Sequence, residues 1–224
     1  MKKLFQPGSI ALIGADRQPR SIGSVLARNL FSGQFEGPVL PVHARLPAVR
    51  GVLAFSSIAE LPIAPDLAVI ASPADEVPGL ITDLGARGTH VAVVLTAVAD
   101  RAFASRLAEA AKEAGVRVVG PACLGIIVPA IGLNATYAHT QAKPGDVALI
   151  AQSGSLVSAV LDSAAGREAG FSVVASLGDM IDIDFAELLD FLALDPRTRA
   201  ILLAIDCVVD ATKRSCRQHG SRQE

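Results

Sequence analysis

Short runs rich in β-branched residues alternate with longer stretches of helical periodicity along most of the chain. That alternation restricts the fold to the α/β class with a largely parallel sheet. Strands are expected at Ser9–Gly14, Pro38–Val42, Leu67–Ala71, His90–Thr96 and Val116–Val119. Helices are expected between them at Ser21–Ser32, Asp75–Arg87 and Arg101–Ala114, with Gly115 and Gly120 as punctuation. Hydrophobic residues make up 51% of the 224, enough to bury a sizeable core. A complete doubly wound unit is therefore expected over residues 1–128.

A second series follows, with strands at Asp146–Ile150, Phe171–Ser176 and Ala200–Ile205 and helices at Ser155–Arg167 and Asp184–Leu194. Residues 129–145 are expected to connect the two units. Doubly wound domains usually have about five strands, so the second unit, 146–206, is expected to be incomplete. Its unpaired edges should make it more easily nicked by proteases than the first. Residues 207–224 carry no apolar periodicity and are expected to form a polar, disordered tail.

Composition excludes several function classes. The formal net charge of −2 gives no support to wrapping nucleic acid or an anionic membrane surface. No apolar stretch approaches the roughly 20 residues of a spanning helix, and no signal peptide is visible. A soluble cytoplasmic protein is expected. Cys123, Cys207 and Cys216 lack metal-ligand or CxxC spacing, so free thiols and no metal site are expected.

The stretch "SIALIGADRQPRSIGSVLARNL" runs from strand through a glycine turn into a helix. Such a turn aims free helix N–H groups at a phosphate. The spacing is not G-x-G-x-x-G, because eight residues, two of them arginine, separate Gly14 from Gly23. Gly14 suits the turn, Ser21 the N-cap and Gly23 a close approach of backbone. A dinucleotide site for NAD places an acidic residue after the second strand. Here "PVLPV" is followed by His43, Ala44 and Arg45. Cations there, with Arg17 and Arg20 in the loop, favour a ligand with several phosphates, either NADP or coenzyme A.

The segments "SIALIGADRQPRSIG", "GPVLPVHAR", "PDLAVIASPADEVPGLITDLGARG", "GPACLGIIVP", "LNATYA", "PGDVALIAQSGSL" and "SLGDMIDIDFAELLDFLALDPRTRAILL" occur in that order. Together they resemble the NDP-forming acyl-CoA synthetases, relatives of the succinyl-CoA synthetase α subunit. The resemblance runs from Leu4 to Ile205. It implies a Rossmann-like CoA-binding domain followed by an incomplete flavodoxin-like domain of the succinyl-CoA-synthetase type. It further implies that Gly14, Ala15, Arg17, Arg20, Ser21 and Gly23 form the phosphate-side loop for CoA or acyl-CoA. His43 and Arg45 stand in place of an Asn-Pro-Lys motif. Ser72 and Pro73 would flank the pantetheine arm. Pro121, Cys123, Leu124 and Gly125 match a "GPNCLG" motif near the thiol end, with Ala122 replacing its asparagine; Cys123 is read as packing rather than as a nucleophile. Asp16 replaces a serine, and Ala97 and Val98 stand where relatives have Ala-Gly.

"VALIAQSGSLVSAVL" places Gln152, Ser153, Gly154 and Ser155 between a strand and a helix, a nest for an anion. It is neither a Walker A loop nor a nucleophile elbow. The resemblance makes Ser153, Gly154 and Ser155, with Asp206, contacts of a phosphorylated catalytic histidine. In that chemistry an acyl phosphate gives its phosphoryl group to histidine, CoA takes the acyl group, and the phosphohistidine phosphorylates ADP or GDP. None of His43, His90, His139 and His219 matches that histidine, and the ATP-grasp domain is not found. The chain is expected to be truncated relative to the family and inactive alone in acyl transfer. Permitted codons for Arg214–Glu224, read in a shifted frame, give "FMSAARVAAR", like the helix that continues relatives, so the tail is expected to be frameshifted. "GPVLPV", "SLGDMIDID" and "LNATYA" also resemble the regulatory, acyl-CoA-sensing region of bacterial protein lysine acetyltransferases, which precedes a GNAT domain. An NADP-binding oxidoreductase fragment is a further alternative, disfavoured because no Tyr-x-x-x-Lys pair is found.

Overall fold

A computed structural model describes residues 1–206 except 99 and 168. The expectations for the tail, with Cys207, Cys216 and His219, lie outside the described residues. After α1 (Lys2–Phe5) the first half contains β1 (Ile10–Ile13), α2 (Ile22–Ser32), β2 (Val39–Val42), β3 (Ala48–Val49) and β4 (Val52–Leu53). It continues with β5 (Leu67–Ile70), α3 (Val77–Arg87), β6 (Val91–Val94), α4 (Arg101–Ala114) and β7 (Arg117–Val119). β1, β2, β5, β6 and β7 form one wholly parallel sheet in the order β2-β1-β5-β6-β7. β3 and β4 make a small separate hairpin.

The second half comprises β8 (Gly125–Val128), β9 (Leu133–Thr136), β10 (Pro144–Ala151), α5 (Gly154–Ala165), β11 (Phe171–Ser176), α6 (Phe185–Leu192) and β12 (Ala200–Ala204). Its sheet has five strands in the order β12-β10-β11-β8-β9, two more than the sequence pattern suggested. The added pair is an antiparallel hairpin whose β9 lies in the stretch expected to be only a connection. β8 then pairs antiparallel with β11, while β10 pairs parallel with β11 and β12. The hairpin closes through a turn ending at Gly132, held at a left-handed φ of 66°. Four-residue strands this short offer too few alternations to stand out from a loop.

Side-chain alternation along the strands builds three cores. Ile10 and Leu12 of β1, Val69 of β5 and Val93 of β6 face a core that also receives Ile126, Ala135, Ile150 and Val173 of the second sheet. The intervening residues Ala11, Ile13, Ile70 and Val94 face the other way, against Leu84 of α3 and Leu107 of α4. Leu149 and Val174 turn to α5, meeting Val157 and Leu161. This is the period-2 geometry of a strand buried on both faces. The two sheets thus share one apolar layer, which also contains Leu26 of α2 and Leu188 of α6. Phe5 stacks on Phe191 across it, ring centroids 5.1 Å apart.

Polar ties accompany that layer. Asn29 of α2 is buried and its amide donates to the carbonyls of Thr136 and Ala138, both at 2.8 Å. Arg117 of β7 meets Asp182 at 2.9 Å and Glu187 at 2.6 Å, and Asp182 also accepts from the Val118 N–H. Among the described residues no helix is long and apolar enough to cross a membrane.

Candidate functional site

The strands of the first sheet end together, and a cleft of about 690 Å³ opens at their C-terminal ends. It lies where the strand order reverses, β1 having β2 on one side and β5 on the other. Open α/β sheets hold their ligands at such a switch point.

Gly14 ends β1 with φ +85°, and a Cβ there would lie 2.5 Å from the backbone of Ala71 and Ser72. A Cβ on Gly23 would collide with the Gly14 carbonyl. The two glycines therefore let α2 and the end of β5 press against one turn. The loop between them is organised by Asp16, whose carboxylate accepts from the Gln18 N–H at 2.8 Å and the Ser21 hydroxyl at 2.5 Å. Ser21 in turn accepts from the Ser24 N–H at 3.1 Å and caps α2. Asp16, at a position where the family resemblance implied serine, is thus a loop-building residue. Arg20 holds a left-handed φ of 68°, a conformation uncommon outside glycine.

Gly14, Ala15, His43, Arg45, Ser72 and Pro73 line the cleft together. Arg17 lines an adjoining recess instead. Arg20, Ser21 and Gly23 build the loop and helix start without being part of the cleft lining. The structure adds Ser56 and Ser57, which single-chain reading missed. They arrive because the β3–β4 hairpin folds back along β2: Phe55 donates to Pro41 at 2.9 Å and His43 donates to Phe55 at 2.8 Å. His43 Nδ1 accepts from the N–H groups of Arg45 and Leu46, at 3.0 and 3.1 Å. Only its Nε2 is left to meet a ligand. Arg45, the one arginine in the lining, follows β2, whereas Glu76 and Asp83 line the cleft from the side of β5 and α3. The positive charge of the lining is thus confined to the β2 side, where negative charge is best accommodated.

Pro121, Cys123 and Gly125 are not in the lining of this cleft. Cys123 is fully buried, its thiol donating to the Val94 carbonyl at 3.3 Å, and burial pushes its pKa up to about 12. It is a packing residue, not an activated nucleophile. Its neighbours fasten the cleft to the second sheet. Ala122 donates to Thr96, whose hydroxyl donates to Ser72 at 2.6 Å; Pro121 accepts from Asp179; Leu124 donates to Ser176. Ala122 sits at φ +58°, where asparagine is much better tolerated than alanine.

At the second turn, Ser153 caps α5 and accepts from the Leu156 N–H at 3.3 Å. Gly154 begins the helix against Leu124. Ser155 is exposed, as is Asp206. Ala151 and Ala204 are register partners, so the segments carrying Ser153 and Asp206 leave neighbouring strands at the same edge. Of the histidines, His139 lies 2.8 Å from Asp162 on the surface, and His90 directly precedes β6.

Comparison with known proteins adds to this geometry. Residues 8–129 match the model of a CoA-binding domain, and residues 144–217 match that of a succinyl-CoA ligase-like flavodoxin domain. The chain is 34% identical over 223 residues to the α subunit of ADP-forming acetate–CoA ligase I of Pyrococcus furiosus, covering 95% of this chain and 48% of that protein. It is 36% identical to the α subunit of ligase II of the same organism, covering 93% and 47%. Among solved structures, the dinucleotide forming acetyl-coenzyme A synthetase 1 of Ca. Korarchaeum cryptofilum, in complex with phosphate and ADP, superposes with a TM-score of 0.90 at 34% identity, covering 94% of this chain and 46% of that one. ATP citrate lyase from Methanothrix soehngenii, at 14% identity and a TM-score of 0.65, shares the fold. The chain spans about half the length of the curated relatives it matches.

Proposed function

The chain belongs to the CoA-binding domain family, continued by a succinyl-CoA ligase-like flavodoxin domain, and from that premise we propose that its cleft binds coenzyme A or acyl-CoA as the CoA-binding part of an ADP-forming acid–CoA ligase. The observation that carries this reading is the polarised cleft at the switch point of the first sheet. Gly14 and Ala15 offer backbone to the phosphates, and His43 and Arg45 supply donors and charge on the β2 side. Such charge-assisted contacts to phosphate are the strong ones. The pantetheine arm runs past Ser72 and Pro73 towards Thr96 and Ala97. Arg20, Ser21 and Gly23 hold the loop in shape, and Pro121, Cys123 and Gly125 support the cleft from behind.

The turn Ser153–Gly154–Ser155 serves the second half of the reaction in this reading. Its helix start stabilises negative charge where a phosphoryl group is carried on a histidine. Asp206, at the same edge, orients the imidazole. Among the described residues no histidine belongs to that turn, so acyl transfer requires the histidine-bearing and ATP-grasp segments. The relatives favour this reading over an acetyltransferase regulatory region or an NADP-binding oxidoreductase fragment.

Titration calorimetry with CoA, acetyl-CoA and NADP tests the assignment. Saturable heat with CoA or acetyl-CoA and none with NADP is the expected result. Binding of NADP with no response to either CoA species overturns it.

A further inference from the structure

A smaller recess of about 200 Å³ adjoins the cleft, with Asp16 lining both. Arg17, from the loop after β1, and Arg50, from the tip of the β3–β4 hairpin, both line it, together with Ser24 and Leu46. Arg50 is held there at a left-handed φ of 49°. Neither guanidinium forms an ion pair with a described residue. Asp16 is the only carboxylate in the lining, and its Oδ1 already accepts from Gln18 and Ser21. Two cations against one carboxylate leave the recess with an excess of positive charge and of N–H donors.

Its place in the fold indicates which anion it fits. The ribose of a nucleotide bound to a doubly wound sheet lies at the end of the second strand. Here that is β2, and the recess begins at Leu46, the residue after Arg45. A phosphate on a ribose hydroxyl would fall beside it, where planar guanidinium groups bind phosphate oxygens two at a time. The main-chain pyrophosphate, by contrast, belongs to the Gly14 turn.

We propose that the Arg17–Arg50 recess takes the phosphate monoester on the ribose of the bound nucleotide, which makes Arg50 a specificity-determining residue for CoA over dephospho-CoA. The proposal rests on the CoA reading above. Arg50 was not recognisable from the sequence as part of that site, since only the fold-back of the hairpin brings it near the loop after β1.

The test is calorimetry on the 224-residue chain with CoA and with dephospho-CoA, comparing the unsubstituted protein with Arg50→Asn and, separately, Arg17→Gln. Asparagine tolerates the left-handed backbone at position 50, and an unchanged melting temperature verifies that the hairpin is intact. The unsubstituted chain should prefer CoA about tenfold. Arg50→Asn should erase most of that preference while leaving dephospho-CoA affinity unchanged within about twofold, and Arg17→Gln should act in the same direction. If neither ligand binds the unsubstituted chain, the CoA reading itself fails. If CoA binds without preference over dephospho-CoA, or if Arg50→Asn keeps the preference, the recess assignment is overturned while the CoA reading stands.

Discussion

β1 and β12 are both short apolar strands, Ile-Ala-Leu-Ile and Ala-Ile-Leu-Leu-Ala, yet their surroundings differ. Every residue of β1 is buried, with alternate side chains committed to two separate cores. β12 sits at the end of its sheet, and its Ala200 and Leu202 are exposed. Apolar composition therefore marks both as strands that can be covered on two faces, but only position in the sheet decides whether they are. The first half surrounds its central strands with helices on one side and the second sheet on the other. The second half lends one face to that common layer, and among the described residues nothing pairs with the outer edge of β12.

The sharpest way to break this comparison is a pair of equivalent truncations. Leu12→Ala removes a side chain with 0% exposure from the shared layer and should cost about 3 kcal/mol in urea unfolding. Leu202→Ala, at 48% exposure, should cost less than about 1 kcal/mol. Equal losses would erase the distinction between the two strands. A smaller effect tests whether the halves unfold together. Asn29→Ala orphans the carbonyls of Thr136 and Ala138 and should cost about 2 kcal/mol. A single transition at lower urea is expected, by circular dichroism and fluorescence alike. Two separated transitions would show that the common layer does not couple the sheets. The smallest effect runs the other way: Ala122→Asn relieves the left-handed strain at φ +58° and should raise stability by about 1 kcal/mol. A loss there would mean that the motif behind the cleft has no room for the longer side chain.

The parallel sheet is legible in the sequence because its strands are dense in Val and Ile and end in turn residues such as Gly14, Ser72 and Thr96. The cleft residues Gly14, Ala15, His43, Arg45, Ser72 and Pro73 are legible for the same reason: they follow strand ends, where a parallel sheet gathers its loops. The β8–β9 hairpin is not, since "GIIV" and "LNAT" are four residues each and the hairpin joins its sheet only through "GIIV", which pairs with a strand more than thirty positions away. Ser56, Ser57 and Arg50 escape notice because their position depends on Phe55 pairing with Pro41, a contact no local pattern announces. The "GPACLG" stretch illustrates the converse. Its residues stand out in the sequence, yet they hold Thr96 and the second sheet together and do not line the cleft.

The depth at which Cys123 lies has a practical side. A carrier whose working end is a sulfhydryl, once oxidised to its own disulfide, exchanges with an accessible cysteine thiolate to give a mixed disulfide and release one carrier thiol, a route that needs a thiolate and access. At 0% exposure, with burial pushing its thiol pKa well up, this sulfur offers neither. The wall behind the cleft is thereby inert towards such a disulfide.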